Sequence, residues 1–127
     1  MKIVALIARI LLGLIFFVSG LNGFLHFFPM GQMPTGLAGQ YVGALMQSHY
    51  IYFVAALQVA GGVLLLAGRY VPLGLTLLGP VIVNILLYHL LMDPKGLPMA
   101  FVVTVLWGIV AFRNRQYFSG LFAQKTA

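Results

Sequence analysis

The sequence has very little charge. Only 6% of its 127 residues are charged, whereas 62% are hydrophobic, and its mean hydropathy is +1.06. Soluble domains are about 45–50% apolar and about 25% charged. So few charges cannot form a polar shell around a core, which excludes a soluble globular enzyme, and disorder requires the opposite composition. We therefore expect residues 1–127 to form a single integral membrane domain.

The chain also lacks cysteine and is almost without acidic residues. The first absence excludes disulfides, CxxC redox pairs, thiolate nucleophiles and iron–sulfur ligation. Asp93 is the single acidic residue, which excludes a paired-carboxylate glycosidase site and a carboxylate-caged metal. Any redox role must then use a bound cofactor or a partner. We interpret the net charge of +6 as the positive loops of a membrane protein, with no nucleic-acid partner.

Four apolar segments predict membrane-spanning helices. They cover residues 3–25, 51–67, 71–92 and, with a polar extension, 97–118. A span requires about 20 residues, so the short second and fourth segments are expected to gain a turn each, at His49–Tyr50 and over 113–118. Backbone polar groups in lipid must be paired within the segment, which favours helices. The predicted fold class is an all-α membrane protein with a four-transmembrane-helix bundle.

The connection over residues 27–50 is the only long one, and it carries no formal charge. After two turn motifs rich in Pro and Gly, Leu37, Tyr41 and Leu45 recur at helical spacing. This pattern predicts a short interfacial helix in the outer loop between the first and second spans. Such a helix either forms a lid over a cavity or simply covers the interface.

Positive charge is distributed unevenly between the two ends of the bundle. The outer loops contain only Asp93 and Lys95, while the other six basic residues fall on the opposite side: Lys2, Arg9, Arg69, Arg113, Arg115 and Lys125. The positive-inside rule then places both termini in the cytoplasm, in a multi-pass protein of the bacterial inner (plasma) membrane. The first segment has features of a signal peptide, but Arg9 and its length favour a retained helix. We expect Arg9 to snorkel to the interface rather than bind a ligand.

Polar side chains at membrane depth are the candidate ligand-binding residues, because they are costly there. They are Ser19, Asn22 and His26 on the first helix, Gln58 on the second, and Asn84, Tyr88 and His89 on the third. Those on the first helix fall within about 60° of one another at 100° per residue. If the three sets converge, they line a polar cavity for a lipid or quinone-like molecule. Alternatively, each side chain only forms a hydrogen bond between helices, at about 0.6 kcal/mol on average.

The two membrane histidines leave several kinds of chemistry open. His26 and His89 could act as axial haem ligands, copper ligands or proton-transfer groups for a quinone. No recognised metal-ligand spacing is present, so no metal site is predicted, and haem and copper are disfavoured. His89 lies about 140° from Asn84 around the helix, so we expect that the two share one narrow cavity only if Pro80 or a local irregularity rotates the helix. Instead, His89 and Asp93 at i, i+4 are predicted to form a hydrogen-bonded pair.

Three segments resemble the DoxX family of small bacterial four-helix membrane proteins. The first two are ARILLGLIF with VSGLNG, over residues 8–23, and QVAGGVLLL, over residues 58–66. The most specific segment runs from GRYVPLG at 68–74 through GPVIVNILLYH at 79–89. The resemblance covers roughly residues 8–107. Many relatives have a Glu near Gln58 and a Lys near Gly23, so no mechanism that depends on this ion pair carries over.

The resemblance implies a role beside redox enzymes. Relatives are associated with a membrane thiosulfate:quinone oxidoreductase or with oxidative-stress complexes that include soluble redox enzymes. We therefore expect a DoxX-like inner-membrane subunit or accessory protein, with membrane lipids and a soluble redox enzyme or another membrane subunit as partners. The alternative is a non-catalytic lipid-binding or assembly scaffold that forms homo-oligomers, for which Gly13, Gly20, Gly61 and Gly62 would provide close helix packing.

Overall fold

The computed structural model describes residues 2–25 and 35–122, and within them every regular element is helical. In chain order these are α1 (Lys2–Leu25), α2 (Gly36–Gln47), α3 (Tyr50–Ala67), α4 (Val71–Leu91) and α5 (Leu97–Arg113), with 3₁₀ turns at Pro94–Gly96 and Arg115–Phe122. Four of the helical segments are long and apolar enough to cross a membrane. The predicted all-α, four-span fold is confirmed, and a helix in the long connection between the first two spans, α2, is present as expected.

The first three spans begin and end within one residue of their predicted bounds. The second span gains Tyr50 but not His49, because His49 adopts a left-handed backbone with φ of 64° and so precedes the helix. At 1.5 Å per residue, its 18 residues extend about 27 Å, close to the thickness of the hydrocarbon core.

The predicted extension of the fourth span to residue 118 is wrong. Helix α5 ends at Arg113, because Asn114 caps it: its Nδ2 donates to the carbonyl of Val110 at 2.8 Å. The polar residues that follow turn into a 3₁₀ segment. The span gains its length at the other end, where the turn Pro94–Gly96 leads into α5 and gives 20 residues in all.

Helices α1 and α3 approach each other backbone to backbone. A Cβ atom at Gly62 would lie 2.7 Å from the amide nitrogen of Phe17, and one at Gly20 would lie 2.8 Å from the carbonyl oxygen of Ala55. Only glycine allows this separation, as in other close helix pairs in membranes. The expectation of close packing at the glycines is confirmed, and the contacts are between helices of the same chain.

The core lies between all four spans and is apolar. The largest fully buried side chains are Leu12, Phe16, Leu65, Leu75, Leu78 and Val110. No polar side chain is fully buried within residues 2–25 and 35–122. Trp107 of α5 donates from Nε1 to the carbonyl of Leu75 on α4 at 3.0 Å, which joins these two helices.

Arg9 stabilises the carboxyl end of α3 from the neighbouring helix α1. Its Nη1 donates to the carbonyl of Leu65, and its guanidinium packs against Gly68. Gly68 ends α3 in the left-handed conformation, with φ of 70°, where glycine carries no Cβ penalty. A cation at a helix C-terminus is favourable because it meets the negative end of the helix dipole. Arg9 therefore has a specific hydrogen-bond partner on α3, and its snorkelling to the membrane interface stays a prediction.

Candidate functional site

Helix α2 lies over a cleft between α3 and α4. The cleft has a larger lobe of about 540 Å³ and a smaller one of about 240 Å³. We treat the two lobes as one site, the α2–α4 cleft, because five residues line both of them: Tyr41, Leu45, Val54, Val81 and Asn84. Aromatic side chains of α3, Tyr50 and Phe53, line only the larger lobe. Gln58, Tyr88 and His89 line only the smaller one.

Helical spacing explains why these residues meet at the cleft. On α3, Val54 and Gln58 are four residues apart and share one face, and Tyr41 and Leu45 do the same on α2. The predicted stripe on α2 also included Leu37, but that side chain is 66% exposed, so only its second and third members face the cleft. The cleft is therefore apolar along most of its length, with a few polar side chains placed among the aliphatic ones.

A polar contact joins α2 to α4 inside the cleft. Asn84 donates from Nδ2 to the hydroxyl of Tyr41 at 2.6 Å. The ring of Tyr41 lies 5.4 Å from that of Tyr88, centroid to centroid, in a tilted arrangement. Tyr41 was not among the predicted site residues. The sequence feature that could have identified Tyr41 is its hydroxyl, which lies on the apolar face of a short helix in the loop.

Two side chains in the cleft have hydrogen-bonding capacity that the protein does not use. The Tyr41 hydroxyl accepts from Asn84, so its own proton remains available for another acceptor. Gln58 is half-buried, and within the ranges 2–25 and 35–122 no hydrogen bond to its amide is formed. In an apolar medium an unpaired amide costs several kcal/mol. These groups are therefore suited to a polar head group that enters the cleft.

His89 is held at the edge of the cleft. Its Nδ1 lies 3.0 Å from the main-chain carbonyl oxygen of Asp93. Because a carbonyl only accepts, Nδ1 carries a proton, and in the neutral ring Nε2 is then the acceptor. The predicted pairing with Asp93 therefore forms through the main chain and not through the carboxylate. Gly96 lies against the ring edge that carries Nδ1 and Cε1: a Cβ atom there would be closest to these two atoms and 2.8 Å from Nε2.

Asn84 and His89 line the same lobe, but this lobe is not the narrow cavity to which the expectation applied. The smaller lobe is wider than one helix face. It is lined by Val81, Asn84 and Tyr88, and also by Ile85 and His89 on the adjacent face of α4. A lobe that extends over about 140° of the helix surface accommodates both side chains.

The structure brings four of the seven predicted site residues to the cleft: Gln58, Asn84, Tyr88 and His89. Ser19 is exposed on α1 and Asn22 is half-buried there, and neither is among the described residues that line the cleft. His26 lies outside the described residues. In the part of the chain that the structure describes, no three His, Asp or Glu side chains are grouped to hold a metal ion.

Comparison with known protein families gives one match. The DoxX family model matches residues 4–90, which is more than half of the chain and extends from the first turn of α1 almost to the end of α4. The resemblance in the sequence began later, at residue 8, and continued into α5, which lies beyond the match. No curated protein and no solved structure matches the chain. The extent of the family match shows that the chain belongs to the DoxX family.

Proposed function

We propose that the α2–α4 cleft binds an apolar molecule with a carbonyl or hydroxyl head group, such as a quinone or a lipid. The observation that carries this proposal is the unused hydrogen-bonding capacity of Gln58 and Tyr41 within a mostly apolar cleft. A ligand with a polar head and an apolar body satisfies both parts of such a site. The larger lobe, at about 540 Å³, is within the usual range of roughly 300–1,000 Å³ for small-molecule sites.

Each polar side chain has a role that follows from its contacts. The Gln58 amide and the Tyr41 hydroxyl donate to carbonyl oxygens of the ligand, and the Asn84 carbonyl oxygen accepts from a hydroxyl. His89, with Nδ1 fixed on Asp93, offers Nε2 to accept a proton when the head group changes its protonation state. The exposed rings of Tyr50 and Phe53 pack against the apolar body.

The redox part of the proposal rests on the bound molecule, because the chain has no cysteine of its own. Membership of the DoxX family supports a membrane protein of this type. We propose that it serves as a subunit or accessory protein of a redox system in the bacterial inner membrane, beside a soluble redox enzyme or another membrane subunit. We also propose that both termini lie in the cytoplasm, which reporter fusions after the C-terminus would test directly.

Extraction of the purified protein tests ligand binding. The protein is purified in a mild detergent and extracted with organic solvent, and the extract is examined by mass spectrometry and visible absorbance. We expect a quinone or a specific lipid in near-stoichiometric amount. If neither copurifies, and no quinone-dependent activity is found with the products of neighbouring genes, the proposal is wrong.

The variant Gln58→Leu separates binding from stability. It removes the amide that has no intramolecular partner, so we expect ligand retention to fall about tenfold while thermal stability is kept or raised. Ser19→Ala is the matched control, since Ser19 is exposed on α1 and does not line the cleft. Equal loss of ligand in both variants would contradict a site at Gln58.

Close helix packing at the glycines was the observation that supported the alternative of an oligomeric scaffold, and the structure explains this packing within one chain. Glycines at 13, 20, 61 and 62 pack against other helices of the same chain, so they are not available to join two copies. We therefore do not propose an assembly role.

A further inference from the structure

A second cavity lies at the opposite end of the bundle from His89 and Asp93. It is between the start of α1, the start of α4 and the end of α5, and has a volume of about 330 Å³. The residues that line it are Lys2, Ala5, Leu6, Arg9, Val71, Val110, Arg113 and Asn114. We call it the basic pocket. It shares no lining residue with the α2–α4 cleft, so it does not depend on the function proposed for that cleft.

The cations of the basic pocket have no acidic side chain to balance them. Asp93, the single acidic residue of the chain, follows the far end of α4. Neither Lys2 nor Arg113 forms a side-chain hydrogen bond or ion pair with any other residue in the described ranges. Three positive charges around one cavity repel one another, and an anion bound there would remove that repulsion.

The donors of the basic pocket are largely unoccupied. Arg9 directs Nη1 to the carbonyl of Leu65, which leaves other N–H groups of its guanidinium for a ligand. Asn114 donates one hydrogen of Nδ2 to the carbonyl of Val110 and keeps a second N–H. The first turn of α1, which carries Lys2 and Ala5, adds main-chain N–H groups without an intrahelical partner and the positive end of the helix dipole.

The other wall of the basic pocket is apolar. Ala5, Leu6, Val71 and Val110 line it, and Leu6 is exposed on the outer surface of the bundle, where acyl chains lie. A site with cations at the interface and aliphatic side chains towards the membrane fits a charged head joined to a hydrocarbon body.

We infer that the basic pocket binds a phosphate group, held by Lys2, Arg9 and Arg113, as carried by an anionic phospholipid. Basic pockets between membrane helices recognise anionic head groups through this chemistry. Phosphate oxygens accept several charge-assisted hydrogen bonds, and the guanidinium of arginine matches their geometry. The aliphatic wall favours a lipid as the source of the phosphate, whereas free inorganic phosphate would use the cations alone.

Native mass spectrometry of the full chain in detergent tests this site. The protein is titrated with phosphatidylglycerol, with zwitterionic phosphatidylcholine and with inorganic phosphate, and thermal stability is followed in parallel by fluorescence. We expect phosphatidylglycerol to bind at least fivefold more tightly than phosphatidylcholine. Arg113→Gln and Lys2→Gln should each weaken its binding about fivefold. Lys2→Gln changes an exposed side chain in the first turn and keeps the test valid if Arg113→Gln folds poorly.

Arg69→Gln is the matched control. Arg69 lies in the turn between α3 and α4 at the same end of the bundle, is exposed and does not line the pocket. Unchanged lipid binding in this variant supports the site. Equal weakening in all three variants, or equal binding of the two phospholipids with no effect of inorganic phosphate, overturns it. Stabilisation by inorganic phosphate that matches phosphatidylglycerol supports a phosphate site but assigns the free ion as its ligand.

Discussion

The amide of Asn84 donates a 2.6 Å hydrogen bond to the hydroxyl of Tyr41, and through it the short helix α2 is joined to α4. Tyr41 also packs against Tyr88, so the contact combines a polar bond with ring packing. Because both partners line the cleft, the bond that positions α2 is also part of the proposed ligand site. A ligand that enters the cleft would therefore meet the contact that holds α2 over it.

A double-mutant cycle on Tyr41 and Asn84 should show that they are coupled. Tyr41→Phe removes the acceptor of the bond and keeps the ring, and Asn84→Ala removes the donor. We expect a coupling energy of about 0.5–1.5 kcal/mol in the free energy of unfolding, since each single change breaks the same bond. Unfolding in mixed detergents, followed by fluorescence, measures it. Additive effects of the two changes would show that the bond does not stabilise the protein.

Substitution of Gly96 should displace the ring of His89. A Cβ atom in Gly96→Ala would overlap the imidazole, which must move and break its bond to the Asp93 carbonyl. We expect a loss of about 1–3 kcal/mol in the free energy of unfolding, as in other overpacked sites. The histidine NMR signals should shift with it.

The control for this change is Gly108→Ala. Gly108 is exposed on α5, and a Cβ atom there has no neighbour within 4 Å. Alanine favours a helix over glycine by roughly 1 kcal/mol, so this variant should be neutral or more stable. If Gly96→Ala behaves like Gly108→Ala, the imidazole is not confined as the structure shows.

Gly62→Ala should separate α1 from α3. The added methyl group would lie 2.7 Å from the amide nitrogen of Phe17 and 2.9 Å from the carbonyl oxygen of Gly13. Both are backbone atoms, so the helices themselves must move apart. We expect a destabilisation of about 1–3 kcal/mol, measured by the same unfolding assay. Stability equal to that of the unmodified protein would disprove the close approach of the two helices.

Removal of the Arg9 guanidinium should weaken the carboxyl end of α3. Arg9→Met keeps the length of the apolar stem but leaves the carbonyl of Leu65 without its charged donor. Hydrogen bonds to charged groups contribute about 1.5–3 kcal/mol, so a loss of this size in unfolding free energy is expected. Arg9→Lys keeps the charge and should recover part of it. A Met variant as stable as the original would mean that Arg9 is held there only by snorkelling.

Much of the fold could be predicted because it depends on composition along the chain. The end of α5 could not be predicted in this way. Asn114 caps the helix at Arg113, whereas the prediction had extended the span through the polar residues to 118. The pairing of His89 with Asp93 was expected from i, i+4 spacing, yet spacing does not distinguish a carboxylate from a main-chain carbonyl. For Asn84 and His89, helical angles argue against a shared narrow cavity but do not give the width of the cleft, because that width depends on the neighbouring helices.

The sequence by itself determined that the chain crosses a membrane four times, because the transfer of long apolar segments from water to lipid depends on their length and composition alone. It also determined which end of the bundle is basic. Tertiary structure decided which polar side chains meet: Tyr41 reaches Asn84 across separate helices, and Ser19 stays outside the cleft. These contacts depend on how closely the helices pack and at what rotation. Both are set by residues far apart in the sequence, such as Gly62, which has no side chain and so lies close to the backbone of Phe17.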